Sequence, residues 1–386
     1  MRSLVVDSGS GQSRNAERHL RMRRRAPAGG DVNAKHVGTG VSVRVARRQG
    51  THSRDGMSRS ARPTRPLCAR RAGVRPQLLQ NAAMDSADFS QGAAWQRGSY
   101  VPIAQASVPL TDWGFLRSDA AYDVVTVWDG AFFRLDAHLE RFARSCRRFR
   151  LDPGRSADEI TAILEQCVRL AGLRGAYVEM LCTRGQPPWG SRDPRQAVNQ
   201  FYAFAVPYVW IANEEQRRRG LNVIVSDVQR IPPASVDPTA KNYHWNDMTM
   251  GLLGALDAGA DTVLLTDGQG NVVEGPGFNV FAVKGGRLVT PREGVLEGIT
   301  RRTVIEMAQA LGLPVEQRAL PADELRAADE AFLSTSGGGV LPVTRVGGRT
   351  VGQGAIGPVT RQLQETYWAW HRDPRYSRPV RYDALS

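Results

Sequence analysis

The sequence predicts an α+β protein of two domains behind a disordered basic leader. Three observations carry that prediction. From about Tyr100 onward, β-rich runs alternate with capped helical patterns. A polar stretch at residues 213–220, with three consecutive arginines, interrupts them midway, and the excess positive charge is confined to the N-terminal end. The boundaries that follow are a leader over 1–84, a small α/β domain over 85–210, a linker over 211–220 and a large domain over 221–386. A length of 386 residues accommodates two ordinary domains. No run of about 18 apolar residues occurs, so no membrane-spanning helix is expected.

The formal charge of +13 invites a nucleic-acid reading until it is divided along the chain. Residues 1–84 hold 18 basic and 4 acidic side chains; the other 302 residues hold 33 and 34 and are close to neutral. The leader clusters arginines (Arg23, Arg24 and Arg25; Arg47 and Arg48; Arg70 and Arg71) among Ser, Gly and Pro, with few aromatics. Such a composition cannot bury enough apolar surface to offset chain entropy, so disorder is expected. The segment lacks the apolar core of a secretory signal and resembles an organelle transit peptide. A nonspecific basic tail and a mis-assigned start, with Met84 as initiator, are the other readings. Patterned sequence beginning just after Met84 favours the last of these, and with it a cytoplasmic protein.

The elements are expected in the following order. Residues 122–128 are β-rich and run through Asp129-Gly130 into Phe132-Phe133, a hairpin signature. Asp136 is placed to cap a helix with Leu139, Phe142 and Cys146 on one face. Ser156 and Glu159 form a capping box ahead of Ile160, Ile163, Leu164 and Cys167. Strands are predicted over 176–183 and 200–210. In the second half, a strand over 221–228 leads through a proline-rich turn (Pro232, Pro233, Pro238) to Lys241. Residues 248–256 read as a helix, and two hairpins turn at Asp267-Gly268 and Gly285-Gly286. A helix starts near Thr300 and carries Val304, Ile305, Met307 and Ala308. A strand over 330–334 precedes the Gly337-Gly338-Gly339 loop, and a terminal helix spans Pro358–Trp370.

Four cysteines (Cys68, Cys146, Cys167, Cys182), with no C-x-x-C pair and no histidine at zinc-ligand spacing, point to a reduced interior and no metal. Lysine use is more informative. Of 51 basic side chains only Lys35, Lys241 and Lys284 are lysines. Where charge alone matters this chain takes Arg, so a retained lysine points to a task that Arg cannot perform. Lys can lose its proton and attack a carbonyl carbon to form a Schiff base; Arg cannot. Lys35 falls in the leader, and Lys284 precedes the Gly285-Gly286 turn, a solvated position. Lys241 follows the proline-rich turn and precedes Asn242-Tyr243-His244-Trp245. A surface lysine kept by chance is the competing reading at this point.

The surroundings of Lys241 carry a resemblance. Pro238-Thr239-Ala240-Lys241-Asn242, Glu274-Gly275-Pro276-Gly277-Phe278-Asn279 and Gly294-Val295-Leu296-Glu297-Gly298-Ile299-Thr300-Arg301 occur in that order. Together they resemble the signature of class IV pyridoxal-phosphate aminotransferases, which include branched-chain and D-amino-acid aminotransferases and aminodeoxychorismate lyase. The likeness extends from about Tyr100 to His371. Within it, Tyr122-Asp123-Val124, Val127-Trp128-Asp129-Gly130, Phe132-Phe133-Arg134-Leu135-Asp136 and His138 are similar to the hallmark of (R)-selective amine transaminases. The resemblance implies the two-domain α+β fold of D-amino-acid and branched-chain aminotransferases. It also implies pyridoxal 5′-phosphate bound by the larger domain at the cleft, and a homodimer.

Carried over residue by residue, the resemblance gives Lys241 the Schiff-base bond to the cofactor and the catalytic proton transfer. Glu274 is placed against the pyridine nitrogen, keeping it protonated. Arg141, Ile299, Thr300 and Thr335 form a phosphate cup from a guanidinium fork, a helix N-terminus and a hydroxyl-bearing loop. Taken singly, Arg141 reads as a surface helix charge, Glu274 as a solvated turn carboxylate and Thr300 as an ordinary N-cap. Tyr122, Val124, Tyr177, Glu179, Trp245, Ser336 and Gly337 are implied to line the substrate pocket; core packing is an equal reading for Tyr177 and Trp245. Amine transaminases of this kind hold a keto-acid carboxylate with a mobile-loop Arg. Ungapped counting puts Gly190 there, and Arg192, two residues later, is the candidate substitute. The activity expected is ping-pong transfer of an amino group from an (R)-amine to a keto acid or ketone. The alternative is a D-amino-acid or branched-chain aminotransferase. Small-molecule amines and keto acids, and a second copy of the chain, are the partners expected; nucleic acid, membrane and metal are not.

Overall fold

The computed structural model describes residues 88–383; the leader, with Met84, Lys35 and Cys68, lies outside them. Two sheets organise the described residues. The first part of the chain supplies β1 (Ala93–Gln96), β2 (Ser99–Pro102) and a short helix α1 (Trp113–Arg117), then β3 (Ala120–Trp128) and β4 (Ala131–Phe133). The last two form the expected hairpin. Asp129 and Gly130 both take positive φ (49° and 79°), as a two-residue loop following the strand twist requires, and Gly130 has no Cβ to strain. Next come α2 (Leu135–Phe149), α3 (Ala157–Leu170), β5 (Ala176–Gln186) and β6 (Val198–Pro207).

Helix α3 starts at its predicted capping box: Glu159 N–H donates to Ser156 Oγ (3.2 Å), and Ser156 N–H to Glu159 Oε2 (2.7 Å). Helix α2 starts differently from expectation. Asp136 does not cap it. Arg134 holds the N-cap position in the left-handed region (φ 58°), without a side-chain cap bond, while Asp136 sits in the first turn, where its charge suits the helix dipole. The cause is tertiary: Arg134 N–H donates to Tyr376 O (2.7 Å) and its guanidinium pairs with Glu306. Both helices still bury the faces their periodicity predicts, Leu139, Phe142 and Cys146 on α2 and Ile160, Ile163, Leu164 and Cys167 on α3, against Val125, Val178 and Met180.

The stretch at 211–220 expected as a linker holds a helix, α4 (Glu214–Arg219). Asn213 and Gln216 cap one another, with glutamates in the first turn and arginines in the last, the charge order that a helix dipole favours. There follow β7 (Leu221–Gln229), α5 (Asn246–Asp257), β8 (Thr262–Thr266), β9 (Asn271–Val272), β10 (Glu274–Gly275), β11 (Phe278–Lys284) and β12 (Arg287–Thr290). Then come α6 (Ile299–Ala310), β13 (Val315–Gln317), β14 (Leu320–Pro321), α7 (Ala322–Arg326), β15 (Glu330–Thr335), β16 (Gly339–Val346), β17 (Arg349–Thr350) and α8 (Pro358–Trp370). The second sheet runs β13-β12-β11-β15-β16-β7-β8-β9-β14, with β10 on β11 and β17 on β16. Strand β7 is parallel to both neighbours.

The chain ends in the first sheet. Its last strand, β18 (Ser377–Pro379), pairs with β4, giving the order β18-β4-β3-β5-β6-β1-β2, antiparallel throughout. Val380 enters the core beneath that sheet, and Arg381 reaches the buried Glu165 of α3 (2.7 Å). No helix among the described residues is long and apolar enough to cross a membrane.

Candidate active site

Lys241 lies between β7 and α5, and its main chain is clamped to the first sheet. Its N–H donates to Ser145 Oγ on α2 (3.0 Å), and its carbonyl accepts Tyr122 N–H of β3 (3.2 Å). Lys241 Nζ donates to the Tyr122 hydroxyl (3.2 Å) and lies 4.2 Å from that ring's centroid; Tyr243 stacks on the same ring at 4.2 Å. Burial, and then the positive charge of Arg141, disfavour a charged amine here. Asp123, Glu179 and Glu274 pull the other way, and the pKa settles at about 8 instead of 10.5.

Arg141 is fixed by an acid that the sequence buries in an otherwise apolar strand. Asp123 accepts Arg141 Nε (2.7 Å) and Nη2 (2.8 Å), His138 Nδ1–H (2.8 Å) and Val124 N–H (2.8 Å). Burial opposes ionisation of Asp123, but Arg141 and then His138 outweigh it and hold the carboxyl well below the usual range. Burial lowers the pKa of His138, which favours the neutral ring that donates from Nδ1. The remaining fork nitrogen, Nη1, donates to Glu297 O (3.1 Å), just ahead of α6. Helix α6 begins at Gly298 without a side-chain cap, leaving its first-turn N–H groups available. Only Gly fits there: a Cβ would lie 2.1 Å from Asn279 Oδ1.

A cavity of about 470 Å³ joins these groups. Of the residues expected in the site, Tyr122, Val124, Arg141, Tyr177, Lys241, Trp245, Glu274, Ile299, Thr300, Thr335, Ser336 and Gly337 line it. Two do not. Glu179 stands behind the wall, where it accepts hydrogen bonds from Tyr177 (2.9 Å) and Tyr243; burial raises its pKa despite both donors. Arg192 sits in the loop that presents Trp189 at 91% exposure, and does not line the cavity. Thr335 lines the cavity, but its hydroxyl is engaged elsewhere than expected. It donates to Gly277 O (2.9 Å) and accepts Gly337 N–H (3.1 Å), tying two turns together. The neighbouring Ser334, which sequence reasoning missed, offers a buried hydroxyl with no hydrogen-bond partner.

Arg230, also missed, lines the cavity and pairs with Glu274 (3.1 Å) and Asp247 (2.8 Å). Its partners lie 44 and 17 residues away, so no local pattern marks it. Asp123 did carry a signal, since an acid inside a run of apolar strand residues must find buried partners.

Residues 120–346 match the family described as amino-transferase class IV. The chain belongs to that family. This class IV aminotransferase is 31% identical over 287 residues to the branched-chain-amino-acid aminotransferase of Pseudomonas aeruginosa, covering 72% of this chain and 92% of that protein. It is 30% identical to a putative branched-chain-amino-acid aminotransferase of Methanocaldococcus jannaschii (70% and 93%), and 27% identical to the D-alanine aminotransferase of Staphylococcus haemolyticus (70% and 94%). Among solved structures, a branched-chain amino acid aminotransferase with pyridoxamine 5′-phosphate superposes with a TM-score of 0.71 at 28% identity, over 76% of this chain and 100% of that one. The enzyme from Escherichia coli gives 0.72 at 26% identity, over 75% and 100%. The fold is therefore the class IV pyridoxal-phosphate fold, and the cofactor is pyridoxal 5′-phosphate.

The residues present fit that cofactor. An amine with a lowered pKa, a preset guanidinium, an uncapped helix start and an unpartnered Ser334 hydroxyl converge on a cavity within the range of about 300–1,000 Å³ usual for such sites. A consequence concerns loading. The neutral form of Lys241 rises from about a tenth to about nine tenths between pH 7 and 9 for a pKa of about 8. The rate at which apo-enzyme takes up pyridoxal 5′-phosphate is thus expected to rise about tenfold over that range, followed by absorbance. A flat profile would contradict the assignment of Lys241 as the attacking amine.

Proposed function

We propose that this enzyme transaminates α-amino acids, taking the amino group of a branched-chain or D-amino acid and passing it to a 2-keto acid at the same site. The observation that carries the reading is the composition of the cavity beside Lys241. Val124, Val209 and Ile211 supply aliphatic wall, while the hydroxyls of Tyr122 and Ser336 supply neutral hydrogen-bonding groups suited to a carboxylate. Ile211 also limits size: its N–H donates to Gly337 O (2.9 Å), and a Cβ at Gly337 would lie 3.1 Å from Ile211 Cγ1. The relatives named above support the same substrate class.

In this reading the cofactor supplies a ring that accepts the electron pair left when the substrate Cα loses its proton. Lys241 would hold the cofactor and, as a free amine, would take and return the proton at the substrate Cα; a pKa near 8 suits a group that does both. Arg141, the start of α6 and Ser334 would hold the phosphate. Glu274, which lines the cavity, would face the ring nitrogen and keep its proton there. Burial keeps Tyr122 a neutral phenol, able to donate to Lys241 or to a carboxylate. A homodimer belongs to this reading; Met250, Leu253 and Leu256, about half exposed along α5, are apolar surface that a second copy would cover.

A second reading, transfer from an (R)-amine, is favoured by the Tyr122-Asp123-Val124 segment and by one observation in the cavity. Both of its arginines are already paired with acids, Arg141 with Asp123 and Arg230 with Glu274 and Asp247, so a carboxylate meets no unengaged guanidinium. Mixing cofactor-loaded enzyme separately with L-leucine, D-alanine and (R)-1-phenylethylamine distinguishes the two. The visible cofactor band is expected to bleach with an amino acid and to persist with the amine. The opposite result would reassign the substrate.

A further inference from the structure

We propose that Arg230 is a positioning residue for Glu274, aiming and charge-balancing that carboxylate toward the cofactor's ring nitrogen through a relay anchored on Asp247. The inference rests on the reading of Glu274 given above and extends it to a residue with no expected role.

The relay is visible bond by bond. Asp247, in the first turn of α5, has its oxygens occupied by Ile231 N–H (2.8 Å), Met248 N–H (2.8 Å) and Arg230 Nη1 (2.8 Å). Three donors, two of them main chain, make it an anchor with little freedom to turn toward a ligand. Arg230 is tied at both ends of its fork: Nη1 to Asp247, with His244 O at 3.4 Å, and Nε to Glu274 Oε1 (3.1 Å). Its main-chain N–H donates to Thr266 O (2.9 Å), which fixes where the side chain begins. Glu274 is then held from two sides, since Oε2 accepts Leu296 N–H (2.9 Å). Each of its oxygens keeps a further lone pair for a donor from the cavity.

The charges add up in the same sense. Two carboxylates and one guanidinium, all about nine-tenths or more buried, leave one negative charge uncompensated beside the cavity. A protonated pyridine nitrogen supplies the missing positive charge. The other cation acting on Glu274 is Lys241. Burial raises the pKa of Glu274, and Arg230, Leu296 N–H and Lys241 each pull it back, so deleting Arg230 pushes the carboxyl further toward its neutral form. A neutral acid in that place cannot retain the ring proton.

The test uses holoenzyme carrying R230Q, R230K, E274Q or R230Q/E274Q, with cofactor content checked by borohydride trapping and mass. For R230Q, kcat is expected to fall about tenfold to a hundredfold near pH 7, the scale of a lost charge-assisted hydrogen bond. KM for the amino donor should change little. Activity should recover as pH rises and Glu274 ionises unaided, moving the acid limb of the kcat profile upward. R230K should retain most of the activity. E274Q should show the loss without the recovery, and the double variant should be no worse than E274Q. An R230Q enzyme with the wild-type pH profile, or additive losses in the double variant, would overturn the proposal while leaving Glu274 its role if E274Q is impaired. An unimpaired E274Q would remove both. Should R230Q not fold, D247N weakens the same relay from its far end and is judged by the same shift.

Discussion

Lys241→Ala is expected to lower kcat by about 10⁴-fold and to leave no cofactor trapped on the protein by borohydride. The reason is positional as well as chemical. Nζ is directed by Tyr122 into the cavity, in an environment that lowers its pKa to about 8. Lys284, the other lysine among the described residues, is tied to Asp329 (2.8 Å) at a hairpin end and cannot substitute. Lys241→Arg is the sharper variant. It keeps length and charge, yet a guanidinium does not lose its proton, so the same loss is expected. Both variants should fold, because Lys241 N–H donates to Ser145 Oγ and Lys241 O accepts Tyr122 N–H, holding the main chain at 241 whatever the side chain. Turnover measured with saturating cofactor, beside a thermal melt, checks this. Near-normal activity of either variant would refute the assignment.

Arg141→Ala is expected to damage cofactor binding and stability together. It removes two charge-assisted bonds to Asp123, leaving an acid with 0% side-chain exposure supported only by His138 and Val124 N–H. Breaking a buried ion pair from one side costs about 3–5 kcal/mol. Loss of the guanidinium from the proposed phosphate cup should also weaken cofactor affinity by about a hundredfold, the scale of one or two hydrogen bonds to a charged group. The two effects are separable. Arg141→Lys keeps a charge without the fork, so stability should recover more than affinity. Asp123→Asn keeps Arg141 but unfastens it, so affinity should fall while no buried carboxylate is stranded. Cofactor titration and melting curves on the three variants measure both. Wild-type cofactor affinity in all three would exclude Arg141 from the phosphate site.

Much of the site was legible because this chain uses arginine for nearly every positive charge. A lone lysine beside an ordered set of motifs therefore stood out, and Lys241 lies in the cavity beside Tyr122 and Glu274. The capping box at Ser156 was legible for a different reason: its signal is local, spanning four residues. Asp136 shows the limit of that reasoning. Its spacing suits an N-cap, yet the helix begins two residues earlier because Arg134 is held by Tyr376 and Glu306. Thr335 and Arg192 show another limit. A hydroxyl in the right loop can bond to that loop, and an arginine two residues from an expected position can stand exposed without lining the cavity.

From the order of its residues alone, the mixed α and β pattern and the candidate Lys241 could be read, since periodicity, caps and nucleophile chemistry depend on near neighbours; the fold family and the cofactor followed from the resemblance of three ordered motifs. The pairing of Asp123 with Arg141, the Arg230 relay, the unpartnered Ser334 and the return of β18 to the first sheet were decided only by folding. Each joins groups far apart along the chain, and burial turns such meetings into obligations: once water is excluded, a charge or a polar atom must find its partner wherever the chain has placed one.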